Sequence, residues 1–171
     1  MRAITAIIAA TLLAGCGSSG AGHLTPMPPA TSTAPAVSIG QPFRSGSFEI
    51  VVTEVQTGVM SIPQTNGAPF RPANGQYVIV RATAKNAGNA PAWMWSDSST
   101  LIDVRGKSYA STGGLVLFPA VGQGFDVQQQ PGTTVTGFIP FDVPEDVRSP
   151  VAVLIAPSPQ DASVRVNLTQ R

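Results

Sequence analysis

The sequence predicts an antiparallel β-sandwich. About seven short segments rich in β-branched residues fall within roughly 130 residues, each bounded by Gly or Pro turns. No stretch carries a sustained helical apolar stripe. The composition agrees: of 171 residues, 17 are Gly and 16 are Pro, hydrophobic residues make up 43% and charged residues only 11%. That balance describes a folded, loop-rich domain and not a disordered acidic tail.

The chain opens with an address. Met1-Arg2 is a charged start, Ala3 to Leu13 is apolar, and Ala14-Gly15 are small residues directly before Cys16, the one cysteine present. This is the pattern of a lipoprotein signal peptide over 1–15. In that chemistry Cys16 is thioether-linked to diacylglycerol, the chain is cut after Gly15, and the new amine takes a further acyl chain such as palmitate. The apolar run is well short of the about 20 residues that a membrane span needs. Two acyl chains, at roughly 0.8 kcal/mol per buried methylene, hold a protein on a bilayer where one releases it. The expected location is the extracytoplasmic face of the cell membrane, with the lipid on Cys16 as the membrane contact.

A flexible tether is expected over 16–38. Gly17 to Pro35 reads GSSGAGHLTPMPPATSTAP, which offers no face to bury. About 19 such residues span roughly 25 Å on average and at most about 65 Å, enough to clear the headgroups. The sandwich is expected over 39–171.

Alternation then places the strands. Phe48 to Val55 puts Phe48, Ile50 and Val52 on one face. Tyr77 to Lys85 is the clearest case: Val78, Val80, Ala82 and Ala84 point one way and Arg81, Thr83 and Lys85 the other, as in a sheet buried on one face. Further strands are expected at Thr100–Val104, Lys107–Tyr109, Thr133–Val143, Val151–Ala156 and Ser163–Leu168. Two segments break the pattern. Thr57 to Gly75, with three prolines, reads as a long loop, and Ala90 to Trp95 carries Trp93 and Trp95 at i and i+2, on one side of an extended chain.

The order of motifs resembles a known family. Lys85-Asn86-Ala87-Gly88 is followed by Leu101-Ile102-Asp103 with Gly106 and Tyr109, then by Gln130-Pro131-Gly132, Gly137-Phe138 and Phe141-Asp142-Val143-Pro144. Over about Gly40 to Leu168 this is similar to the telokin-like family of secreted bacterial domains, which includes mycobacterial immunogenic secreted antigens. The resemblance implies an immunoglobulin-like sandwich on a lipoprotein or secreted protein, and it implies no activity. It also implies that Tyr109 packs near a sheet end with its hydroxyl on a backbone partner. Gly88, Gly106 and Gly132 are expected to serve turns that need positive φ.

Chemistry is bounded mostly by what is missing. His23, the sole histidine, sits in the tether, and Cys16 is taken by lipid. The domain therefore has no material for a Ser-His-Asp or Cys-His nucleophile, or for an imidazole or thiolate zinc site. Without Arg2 the chain has nine basic and nine acidic side chains, so it offers no electrostatic footprint for nucleic acid. Glu49 and Glu54 have opposite parity on one strand and are expected to face different sides. Glu145-Asp146 and Asp97-Ser98-Ser99-Thr100 read as solvated turns, the latter with too few carboxylates for calcium. No catalytic residue, metal or cofactor is expected.

Trp93 and Trp95 are the candidate binding surface, able to stack on a sugar ring or a partner peptide. Core packing is the competing reading. The function expected is a non-enzymatic binding module of the cell envelope, with an envelope protein or glycan as partner. The alternative is a hydrolase that uses carboxylates on the sandwich, recognisable by two carboxyl groups ~5 to 9 Å apart in a cleft.

Overall fold

The computed structural model describes residues 36–64, 67–113, 117–118 and 122–169. The expected signal peptide, Cys16, His23 and the expected tether up to residue 35 lie outside the described residues. Thirteen strands are described: β1 (Ala36–Ser38), β2 (Pro42–Ser45), β3 (Phe48–Val59), β4 (Gly75–Asn86), β5 (Ala92–Met94), β6 (Thr100–Ile102), β7 (Ser108–Ala110), β8 (Leu117–Phe118), β9 (Gly122–Gly124), β10 (Val127–Gln129), β11 (Thr134–Pro144), β12 (Ala152–Ile155) and β13 (Val164–Asn167). One 3-10 turn spans Ser96–Ser98.

Two sheets form the sandwich. One runs β2-β3-β4-β11-β9-β8 and the other β1-β13-β12-β6-β7, while β5 and β10 make a separate two-stranded ribbon. Alternation along β3, β4 and β11 turns Ile50, Val52, Val80, Ile139, Phe141 and Val143 inward. Leu101, Val153, Ile155, Val164 and Val166 meet them from the second sheet in the same core. Each such fully buried side chain contributes roughly 1.5–3 kcal/mol. All seven strands read from alternation are present, with ends shifted by a few residues.

Burial on β4 departs from the one-sided expectation. Gln76 to Val80 are all buried, because a second cluster of Ile62, Tyr77, Ile79 and Phe138 covers the opposite face of the sheet. The long segment between β3 and β4 supplies the cover. Ile62 and Phe70 exchange backbone hydrogen bonds of 2.9 Å, and the Tyr77 hydroxyl donates to the Arg71 carbonyl at 3.0 Å. The Asp142 carboxylate accepts from the amides of Ala73 at 2.7 Å and Asn74 at 3.0 Å. Gln76 fixes the base: its Oε1 accepts from the Gly58 amide at 2.6 Å, and its Nε2 lies 3.0–3.1 Å from the carbonyls of Pro144, Glu145 and Val147.

Four further expectations are corrected. Residues 36–38, assigned to the tether, form β1, which pairs in parallel with β13, with Val37 against the core. A three-residue strand at the end of a polar segment shows no alternation of its own. Glu49 and Glu54 face the same side: the register shift between Val52 and Glu54 places Glu49 opposite Lys85 and Glu54 opposite Arg81. A bulge adds one residue and so reverses parity beyond it. Gly106 and Gly132 do have φ near +79°, but Gly88 does not. What Gly88 needs is room, since a Cβ there would lie 3.1 Å from the Ser47 Cβ and 3.2 Å from the Asn86 Oδ1. Tyr109 donates its hydroxyl to the Asp103 carboxylate at 3.1 Å and not to the backbone.

Asn86, fully buried at the end of β4, uses every polar group it has. Its Nδ2 donates to the carbonyls of Ala90 and Gln129, both at 2.9 Å. Its Oδ1 accepts from the Gly88 amide at 2.9 Å. Its backbone amide donates to Thr133 O and its carbonyl accepts from the Gly132 amide. Asn86→Ala removes the side-chain partner of the buried Gln129 carbonyl, while exposed Ala90 can turn to water, and is expected to cost roughly 1–3 kcal/mol. Urea unfolding should show a lower midpoint at unchanged slope.

Asp103 closes the turn between β6 and β7, accepting from the amides of Arg105 at 2.8 Å and Lys107 at 2.9 Å as well as from Tyr109. Burial pushes its carboxyl pKa up, but the Lys107 and Arg105 amides, the Tyr109 hydroxyl and the Arg105 charge outweigh burial and hold it below the ordinary 3.8. The unfolded chain therefore takes up this proton first as pH falls. The stability it confers is complete above the ordinary carboxylate range and is lost below about pH 4. Measured as urea midpoint against pH, Asp103→Asn should be less stable than the parent at neutral pH and should lose less on acidification through that window.

Candidate functional site

Trp93 and Trp95 lie on and just after β5, a three-residue strand whose central constraint is Met94. Met94 is fully buried in the main core, so the residues on either side of it turn outward. The two indoles are 46% and 38% exposed. They stack on each other, with ring centroids 5.0 Å apart and planes 9° from parallel. Core packing is therefore not their role, and the structure does bring together the pair that the sequence singled out. Cys16, the other residue singled out, lies outside the described residues.

The pair is held from three directions. Gln128 of β10 stands opposite Trp93 in register. The Trp95 amide donates to the Pro157 carbonyl at 2.8 Å. Immediately after it, the Asp126 carboxylate accepts from the Ser96 amide at 2.8 Å and from the Ser96 hydroxyl at 3.1–3.2 Å, while the Ser96 carbonyl accepts from the Ser111 hydroxyl at 2.7 Å. A charged acceptor at a buried serine is among the stronger hydrogen bonds. It fixes the direction in which the chain leaves the indoles.

A cleft of about 450 Å³ begins where the chain leaves them. Asp97, Thr100, Ser158, Asp161 and Ser163 supply oxygen atoms to its walls. Ala110, Leu154, Ala156 and Pro159 supply apolar surface. Thr100 stands opposite both Ala110 and Leu154 in register, which sets the cleft on the outer face of the β7-β6-β12 strands. Asp161 is held by the Ser158 hydroxyl at 2.8 Å and packs over Gly46, where a Cβ would meet its Oδ1 at 2.5 Å. Ser99 also lines the cleft, and its buried hydroxyl has no partner among the described residues.

Asp97 to Thr100, expected as a solvated turn, and Asp161, to which the sequence assigns no role, both line this cleft. The two segments lie about 60 residues apart and meet only because β12 pairs with β6. No local signal reports that. Among the described residues no three His, Cys, Asp or Glu side chains converge as a metal site, and no helix is long and apolar enough to cross a membrane.

Residues 37–162 match the DUF4352 family, a domain of unknown function. The chain belongs to this family. No curated protein matches the chain. Solved structures share the fold of this DUF4352 domain. MPT63, a secreted protein of Mycobacterium tuberculosis, is 17% identical with a TM-score of 0.58, over 80% of this chain and 99% of MPT63. The yjhA protein of Bacillus subtilis is 16% identical with a TM-score of 0.56, over 78% of this chain and 99% of that one. The ycdA protein of Bacillus subtilis, for which a lipoprotein assignment is proposed, is 13% identical with a TM-score of 0.51, over 76% of this chain and 39% of that one. At these identities the likeness shows a β-sandwich and nothing about ligands.

The hold on the indole pair is testable. Asp126→Ala should release Ser96 and loosen Trp95, shifting tryptophan emission to the red and raising acrylamide quenching. The stability loss should be roughly 1.5–3 kcal/mol, as for a hydrogen bond to a charged group.

Proposed function

We propose that this DUF4352 domain is a non-enzymatic binding module of the bacterial cell envelope, carried outside the membrane on the lipid at Cys16. The observation that carries the reading is the stacked, exposed pair Trp93 and Trp95 on a rigidly braced strand. Indoles give large contact area at low entropic cost, and a braced pair loses little freedom on binding. An exposed pair without a binding role is a liability for solubility. The lipoprotein signal over 1–15, the expected telokin-like relationship, and structural neighbours that include a secreted protein and a proposed lipoprotein support an extracytoplasmic location.

One observation favours the second reading, a carboxylate hydrolase. Asp97 and Asp161 line the same cleft. Glu49 and Glu54, in contrast, stand opposite residues four positions apart on β4, roughly 13 Å along the strand and beyond the spacing of a glycosidase pair. Asp161 already accepts from Ser158 and packs against Gly46, an arrangement that positions the carboxylate as a fixed acceptor.

The anchor and the module are tested separately. Cys16→Ser should move the protein from the membrane to the soluble fraction, and unchanged fractionation would overturn the anchor. A photocrosslinker at Gln128, beside Trp93, should capture an envelope component in intact cells, and the Trp93→Ala, Trp95→Ala variant should lose at least ten-fold of that product. Equal yield from both proteins would overturn the module. Turnover of an aryl glycoside that disappears in Asp161→Asn would establish the hydrolase in its place.

A further inference from the structure

We propose that the cleft between the Ser96–Ser98 turn and the 156–163 segment binds a neutral or amino-bearing saccharide. This rests on the reading of the domain as a binding module and names its ligand class.

The lining decides the chemistry. Asp97 and Asp161 are acceptors, and Thr100, Ser158 and Ser163 bring hydroxyls that both donate and accept. A ring of sugar hydroxyls needs that mixture. No Lys or Arg lines the cleft, and Arg165, which stands next to Leu154 in register, donates its Nε to the Asn167 side chain at 3.3 Å. Two carboxylates with no cation between them repel phosphates, uronates and acidic peptides. An amino group on the sugar would be welcome.

Shape separates a sugar from a bare cation. Ala110, Leu154 and Ala156 give the cleft an apolar side, which an ion does not use but the C–H face of a pyranose does. A volume of about 450 Å³ lies within the usual range for small-molecule sites and far exceeds one ion. Hard-cation sites gather several carboxylates and carbonyls at short range, and among the described residues no cluster of three such acidic or imidazole groups exists.

The backbone ties the two walls of the cleft together near the indoles. The indole pair ends two residues before Asp97, and the Trp95 amide is bonded to Pro157, next to the residues Ala156 and Ser158 of the opposite wall. Hydroxyl-bearing and apolar walls in one cleft are the combination that a sugar's two kinds of face require.

The test is calorimetric titration of the full domain with glucosamine, N-acetylglucosamine and mannose, with glucuronate and calcium chloride as comparisons. The two tryptophans are the only ones in the chain, so their emission is a second readout of the same event. At least one of the three sugars should bind saturably, with a dissociation constant on the order of 1–10 mM. Glucuronate should bind at least ten-fold more weakly than that sugar. Ala110→Phe, at an exposed β7 position, should fill the cleft and abolish binding while leaving the urea midpoint near the parent value. Thr100→Val, which keeps strand propensity, should weaken binding at least three-fold.

No saturable heat with any of the three sugars would overturn the proposal, as would binding that survives Ala110→Phe or binding reproduced by calcium chloride alone. Absent sugar binding with the crosslink at Gln128 intact overturns this inference and leaves the module standing. Sugar binding with no crosslink overturns the module's envelope partner and leaves the cleft.

Discussion

The side chain of Asn86 is the constraint on which the rest of this end of the domain depends. It terminates β4, which is paired along most of its length with β3 and β11, and a buried amide must find a partner for each of its donors and acceptors. The partners it finds belong to the Gly88 turn, to Ala90 before β5 and to Gln129 at the end of β10. The two-stranded ribbon has no ladder to either sheet. It is attached instead through Met94 in the core, the Trp95 amide on the Pro157 carbonyl, and the Asn86 amide, so Asn86 helps to place the indoles. The same residue also explains why Asn-Ala-Gly and Gln-Pro-Gly occur as a matched pair: Asn86 binds both turns.

Gln76 plays the corresponding part at the other end of β4. Its amide spans the late part of β3 and the 144–147 turn, bonding the Gly58 amide on one side and carbonyls of the turn, that of buried Val147 among them, on the other. The cover of the long 60–74 segment over Tyr77 and Ile79 starts from that fixed base. Two neutral amides thus hold the ends of the central strand, one side chain at each end. Neither introduces a charge, and among the described residues the ion pairs Arg81 with Glu54 and Arg105 with Asp146 lie toward the surface. Pairs of that kind contribute little.

What the sequence disclosed follows from the range of each signal. Strands of eight or more residues with one buried face show their period directly, and β3, β4 and β11 were legible for that reason. β1, β2, β5 and β8 to β10 are two to four residues long and owe their state to partners far away in the chain. Parity read along β3 failed beyond Val52 because a bulge is a property of the pairing and not of the strand. The indole pair was legible as two bulky residues at i and i+2, yet its exposure was not. Exposure turns on Met94 being the residue that enters the core. Asp161 was illegible for a plainer reason, since its place beside Asp97 exists only once β12 lies against β6. The lipidation signal read at Cys16 is the opposite case, wholly local in sequence and outside the described residues.

The parallel pairing of β1 with β13 has a mechanical side. Tension delivered from the residues before Ala36 enters the fold through β1, a ladder of three residue pairs, while the next fixed point is the Gly40 amide bonded to Val52 at 2.8 Å. β1 lies at the edge of its sheet, so peeling it away breaks no other ladder. Detachment of residues 36–39 would pay out roughly 13 Å of chain before any load reached β3 and the core. The first strand is in this sense a slip joint: a load arriving through residue 36 would be taken up by one short edge ladder before it reached the core strands.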